Sequence, residues 1–271
     1  MTEADNTAAG LIAQLEETWD SIAVLGRGLT PTEWLTPTAC PGWSVADQLA
    51  HVVGTELMLA GESIPPGDGT DAPSHVRNDI GQANEQWVIE LRRFDAVDLL
   101  DRFRTVTARR LEALRARSEA QWDEPSWTPV GKSTYRRFMQ IRVFDSWVHE
   151  QDMRRAVGRP GHGDGPAAEQ AIDEIERALG YVIGKRADVP DGKSVTIDLI
   201  GPVTRRIHVE VDGRASVVAS LRTTADVTLR LGSDIFASLA CGRVDPAEVV
   251  LEVDGDEQLG QRIAANLGFT I

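Results

Sequence analysis

The chain has 271 residues, 42% of them hydrophobic, and a formal net charge of -14. That length predicts two domains with sizeable cores. The acidic balance argues against nucleic acid and anionic membrane as partners, because such binders present basic patches or stripes. No apolar run is long enough to span a bilayer, and the start, "MTEADNTAAG", lacks the basic and apolar parts of a signal peptide. Cys40 and Cys241 stand in unlike contexts, so a reducing cytoplasm without a disulfide framework is expected.

The first half reads helical. "AAGLIAQLEETWDSIAVLGRGL" has apolar residues at helical spacing. "SVADQLAHVVGTELMLAGE" opens on Ser44 with Asp47 three residues on, a variant of the capping box. "SIPPGDGTDAPS" is a loop by its Pro and Gly content, and a shorter helix is expected near "NEQWVIELRRF". "DAVDLLDRFRTVTARRLEALRARS" is a long amphipathic helix, "QWDEPSWTPVGKS" breaks the chain, and "STYRRFMQIRVFDSWVHEQDMRRAVG" is the last long helix of the set. Four main helices with short to moderate connections predict an antiparallel bundle over residues 1–160.

After the linker "RPGHGDGP" and one more helix, "AAEQAIDEIERALGYVIGKRA", the period changes to two. "SVTIDLIG", "RRIHVEVDG", "ASVVAS" and "ADVTLRLGS" alternate as half-buried strands, with "VDGR" as a hairpin turn. "DIFASLACG" and "EQLGQRIAANLGF" read as helices, with "EVVLEVDG" a strand between them. All seven tryptophans lie in the first 147 residues. The composition and the period together predict a second, α+β domain over residues 161–271, with the linker and helix near 159–187.

The chemistry concentrates in "RVFDSWVHEQDMRR". At about 100° per residue, Phe138, Ile141, Asp145, Val148, His149 and Asp152 share one stripe. Charges on a packed face are normally paired or bound to a metal, so this helix carries either a salt-bridge network or a metal site. Asp145 and His149, at i and i+4, are neighbours on the helix surface. His51, in "ADQLAHVVG", is the best third ligand, and three protein ligands leave a position open, as in a catalytic zinc site. Asp152 and Arg155 read either as a helix-end charge pair or as groups facing a substrate. His75, His162 and His208 fall in a loop, a Gly-rich linker and an exposed strand face, and are read as bland. Cys40, before a Pro-Gly turn, is read as a packed structural residue.

"TACPGWSVADQLAHVVG", taken with "RVFDSWVHEQDMRRAVGRP", resembles the mycothiol-dependent maleylpyruvate isomerase family, which belongs to the DinB-like metal-binding four-helix proteins. "TPTEWLTPTACPGW", Asn78 in "HVRNDIG", and "LGSDIFASLACGRVDP" followed by "VDGDEQLGQRIAANLGF" are also similar to that family. The last two fall in what resembles its sterol-carrier-like appendage. The likeness covers most of the chain. It implies a DinB-like four-helix bundle followed by a small α+β domain, and it puts the metal triad on His51, Asp145 and His149. The characterised isomerase has Glu at the middle position, where this chain has Asp145, one methylene shorter.

The resemblance further implies a divalent metal, zinc being expected, and mycothiol, the low-molecular-weight thiol of actinobacteria, as cosubstrate. Asp152 is then a catalytic, substrate-facing candidate and Arg155 a candidate for holding the thiol. An arginine of the second domain is implied to meet a substrate carboxylate. Arg243, in "ACGRVDP", is the candidate, although by itself it reads equally as a helix-end arginine. The expected activity is isomerisation or thiol transfer on a small electrophile, by a monomer or homodimer with no nucleic-acid or membrane partner. Two other readings stay open: a metal-dependent hydrolase using bound water, and a non-enzymatic protein binding a metal or a small ligand.

Overall fold

The computed structural model describes residues 3–67 and 73–270, in two units, Met1–His162 and Gly163–Ile271. Of the expected loop "SIPPGDGTDAPS", residues 68–72 lie outside the described residues, and the flanking described residues carry no regular element.

The first unit runs through α1 (Ala8–Arg27), the one-turn α2 (Pro31–Trp34), α3 (Val45–Leu59), α4 (Asp79–Leu91), α5 (Ala96–Arg115) and the one-turn α6 (Glu119–Trp122). A hairpin of β1 (Pro125–Thr128) and β2 (Gly131–Thr134) then leads into α7 (Tyr135–Ala156). Helix α1 packs on α5 and α7, and α3 packs on the same two, which closes a four-helix bundle; α4 lies along α3. The starts are fixed by side-chain acceptors for amides that have no partner within the helix. Thr7 accepts from Gly10, Asp95 from Val97 and Asp98, and Thr134 from Arg137. At α3 both halves of the Ser44–Asp47 box are made, and Asn78 caps α4. The core is filled by Leu11, Leu15 and Ile22 of α1, Leu49 and Val53 of α3, Phe103 and Leu114 of α5, and Met139 and Val143 of α7. Most of α7 is buried, including Phe138, Ile141, Val148, His149 and Asp152 of the stripe, while Asp145 is half-buried.

The stretch "QWDEPSWTPVGKS" does more than break the chain, since it holds α6 and the β1–β2 hairpin. Its strands carry little alternation, with Trp127 59% exposed, and so gave no period-two signal.

The second unit opens with α8 (Gly165–Tyr181), which runs on into a π-helical turn, Val182–Arg186. Its strands are β3 (Ser194–Ile200), β4 (Arg205–Asp212), β5 (Arg214–Val218), β6 (Val227–Gly232) and β7 (Glu252–Gly255), in the order β5-β4-β3-β6-β7. Helices α9 (Ser233–Ala240) and α10 (Glu257–Ala265) follow β6 and β7. Strand β3 pairs antiparallel with β4 and parallel with β6. That register aligns Val195, Ile197 and Leu199 with Ile207, Val209, Val227, Leu229 and Leu231, all of them buried. Helices α8, α9 and α10 pack on the sheet. The alternate positions, Asp198, Arg206, His208, Thr228 and Arg230, give a polar face, the usual division of a one-sided sheet.

Candidate metal centre

The site is assembled from α3 and α7. His51 lies two turns into α3, and Asp145 and His149 stand one turn apart on α7. One donor atom from each of the three falls within 4.8 Å of the other two. His51 Nε2 is 3.4 and 3.3 Å from the two oxygens of Asp145, and His149 Nε2 is 3.5 Å from Asp145 Oδ1. Charge-assisted hydrogen bonds are shorter, about 2.7–2.9 Å. Donors about 2.0–2.1 Å from a tetrahedral zinc stand about 3.3 Å from one another. Each imidazole therefore stands off Asp145 at the separation of two ligands of one ion rather than at that of a charge-assisted hydrogen bond.

The electrostatics agree with that fit. Burial holds the His51 imidazole below its ordinary pKa, with His149 and Arg142 adding to this against the pull of Asp145. Burial would raise the Asp145 carboxyl, but Arg142, His51 and His149 hold it well below the usual carboxylate range. A neutral imidazole beside an ionised carboxylate is the state that ligates a cation. Arg142 also donates to Asp145 Oδ2 and reaches Glu56 Oε1 at 2.7 and 3.0 Å, while Asp145 Oδ1, 3.4 Å from His51 and 3.5 Å from His149, lies near both imidazoles.

Other neighbours complete the site. Trp43 lies over both rings, 5.3 Å from the His51 centroid and 6.0 Å from that of His149. Its indole N–H donates to Glu85 on α4 at 2.9 Å, and His75 meets the same carboxylate at 3.1 Å. Gln48 Oε1 accepts from His149 Nδ1. Asp152 is buried beside this pair, 3.8 Å from His149 Nδ1, 3.5 Å from Arg155 and 3.5 Å from the Cys40 thiol. Cys40, His149 and Asp152 thus form a second close group of possible donors. Arg155 is partly exposed at the rim of this cluster. Arg243 belongs to the second unit, just beyond α9, where its guanidinium donates to the Cys241 carbonyl at 2.7 Å.

The sequence reading overlooked Gln48, Trp43 and Arg142 as site residues. Gln48, three residues before His51, and Arg142, three before Asp145, both stand at helix-neighbour spacing, but that spacing does not show burial. The reading also set His162 aside as a bland linker residue. The structure ties it at 2.6 Å to Glu150, a fully buried carboxylate of α7.

A four-helix bundle that brings two imidazoles and a carboxylate together between facing helices has the architecture of the class of bundles in which metal and cofactor sites are built. Within that class the chain belongs to the mycothiol maleylpyruvate isomerase family. The family's N-terminal domain matches residues 15–154, and its C-terminal domain matches residues 169–262. A solved structure described as the mycothiol-dependent maleylpyruvate isomerase superposes with a TM-score of 0.59 at 15% identity, covering 90% of this chain and 92% of that one. A histidine-to-alanine mutant of that enzyme gives 0.57 at 15% identity with the same coverage. At that identity the likeness concerns the fold. The uncharacterized proteins MT0041 and Rv0036c of Mycobacterium tuberculosis are 24% identical to it over 151 residues, 54% of this chain. The chain spans 56% of the length of each of these relatives.

Proposed function

We propose that this chain is a divalent-metal enzyme that uses mycothiol to isomerise, or to transfer the thiol to, a small electrophilic substrate. The observation that carries the reading is the convergence of His51 and His149 on Asp145, at 3.3 and 3.5 Å, with one donor atom of each residue within 4.8 Å of the other two. Family membership supplies the thiol. In this reading His51, Asp145 and His149 hold the ion, and zinc suits a set of two imidazoles and a carboxylate. A bound divalent cation favours loss of a thiol's proton and so provides thiolate at neutral pH.

The chain's own groups do the rest. Trp43 covers the two rings and limits water on that side. Asp152 and Arg155, paired at 3.5 Å, orient polar groups of the thiol, and Arg243 receives an anionic substrate. Addition of the thiolate to one carbon of a cis double bond turns that bond into a single bond; rotation about it, followed by departure of the thiolate, restores the double bond as trans and is isomerisation, whereas protonation of the neighbouring carbon with the carbon–sulfur bond retained is transfer. A monomer or homodimer in the cytoplasm is the setting we assign.

Metal content and thiol dependence test the reading together. Purified protein should carry about one divalent ion per chain by elemental analysis, the stoichiometry of a single closed ligand set. His149→Ala and His51→Ala should each lose most of it. Full occupancy in both variants would overturn the ligand assignment. Metal-dependent turnover of an ester or amide that ignores added mycothiol would replace the reading with a hydrolase.

A further inference from the structure

We propose that Gln48, itself held by Thr38, fixes His149 in the one tautomer that can take a metal ion. The inference rests on the metal reading above, yet its central claim concerns the metal-free protein and is separable from it.

One chain of hydrogen bonds fixes where each proton lies. The Trp43 carbonyl can only accept, and the Thr38 hydroxyl donates to it at 2.8 Å. That uses the single proton of the hydroxyl, so its remaining neighbours must donate. One is the Cys40 backbone N–H at 3.3 Å, and the other is the Gln48 side-chain amide at 2.7 Å. With its NH₂ committed to Thr38, Gln48 turns its oxygen to His149 Nδ1. An oxygen there requires a proton on Nδ1. In the neutral ring that leaves a lone pair on Nε2, the atom 3.5 Å from Asp145 and facing His51. The other acceptor near Nδ1 is Asp152 Oδ2, at 3.8 Å, beyond hydrogen-bond reach.

The flipped amide makes the opposite prediction. Its NH₂ would face His149 Nδ1, the proton would move to Nε2, and the ring would present N–H where a ligand atom is needed. Flipping also sets the Gln48 oxygen against a hydroxyl whose proton already serves Trp43. Gln48 is fully buried, out of reach of bulk water.

The local sequence builds this relay. Gly42, at φ +77°, turns the chain. Thr38 N–H then reaches the Trp43 carbonyl at 2.9 Å, and Val45 N–H the Thr36 carbonyl at 3.0 Å. The resulting knuckle sets Thr38 beside the first turn of α3, where Gln48 follows the Ser44 cap by one helical turn. Helix α3 thus contributes His51 and also orients the imidazole supplied by α7.

The test uses the full-length chain labelled with [15N]histidine, which has five histidines to assign. Long-range proton–nitrogen correlations on metal-free protein should show His149 protonated at Nδ1; a ring protonated at Nε2 overturns the proposal. Zinc affinity is then measured by competition with a chromophoric chelator. Loss of an orienting partner to a histidine ligand typically weakens metal binding 10–100-fold, so Gln48→Leu and Thr38→Val should each bind at least about tenfold more weakly. Gln48→Glu keeps an acceptor at Nδ1 and should remain within about threefold of the wild type. Equal affinity in the wild type and Thr38→Val, with matching thermal melts, overturns the relay. If Gln48→Leu does not fold, Thr38→Val and the wild-type spectrum decide. A wild type that binds no zinc defeats the metal reading alone, since the tautomer is read without metal.

Discussion

Arg142 is the residue on which the polar interior of the bundle depends. Its side chain is 4% exposed and bridges Glu56, at 1% exposure, to Asp145. Burial works against its charge, but the two carboxylates outweigh it and raise its pKa. Removing one member of a buried pair leaves the other charge stranded, which typically costs 3–5 kcal/mol. Arg110 remains on Glu56 at 3.1 Å, so Arg142→Met should fall at the lower end, about 3 kcal/mol. Urea denaturation checks this. Adding Glu56→Gln should recover much of the loss, and a double variant no better than the single one would contradict the pairing. Sequence patterning cannot find such a residue. That Asp145, His149 and His51 come together was legible less from the i, i+4 pair, which is common in helices, than from the two motifs around them, which resemble those of the family. The burial of Gln48 and Arg142 was not. Polar residues on a helix read as solvent-facing, and only the packed fold shows that Gln48 and Arg142 are buried.

At the scale of elements, the contact between α3 and α4 decides what Gly54 does. A Cβ built on Gly54 would lie 2.5 Å from Trp87 Cβ on α4. In an exposed helix, Gly→Ala stabilises by up to about 1 kcal/mol. The position of Trp87 Cβ is set by its backbone and no change of rotamer moves it, so α4 must shift, and Gly54→Ala should destabilise by about 1–3 kcal/mol, the range for overpacking a core. The urea midpoint gives the sign directly, and a rise in stability would show that α4 yields freely. His51 stands three residues before Gly54, so the same variant should also perturb zinc affinity. The long helices and the alternating strands were legible because their periods repeat over many residues. The parallel pairing of β3 with β6 was not, since no local pattern encodes which strands become neighbours. The β1–β2 hairpin escaped for a different reason: one of its strands is Gly-Lys-Ser-Thr, with no apolar face to alternate.

At the scale of the whole molecule, the chain passes from the first unit to the second at His162 and Gly163, and His162 fastens that passage to the bundle. It adopts φ +51°, a left-handed conformation in which His, Asn and Asp are the non-glycine residues most often found. Its Nδ1 is 2.6 Å from Glu150 Oε2, and its carbonyl accepts from Trp147 Nε1 at 2.8 Å and Gln151 Nε2 at 3.1 Å. Glu150 also accepts from Ser21 at 2.6 Å and Arg154 at 2.7 Å, and Glu17 lies 3.8 Å from His162 Nε2. Burial and Arg154 work against a charged imidazole, but the bond to Glu150 and the charges of Glu150 and Glu17 prevail, so the pKa is raised above the ordinary 6.5. The sign follows from linkage. A raised folded-state pKa contributes stability that is fully present below the unfolded value of about 6.5 and is lost as pH climbs through the folded value. His162→Asn keeps a residue that tolerates the positive φ and removes the titration. The stability advantage of the wild type over His162→Asn should be largest near pH 6 and should shrink steadily toward pH 8.5, as read from urea midpoints at each pH. The other histidines are common to both proteins and cancel in the difference. An advantage that stays constant with pH would mean that His162 acts through its backbone bonds alone, and that protonation has no part in holding the connection.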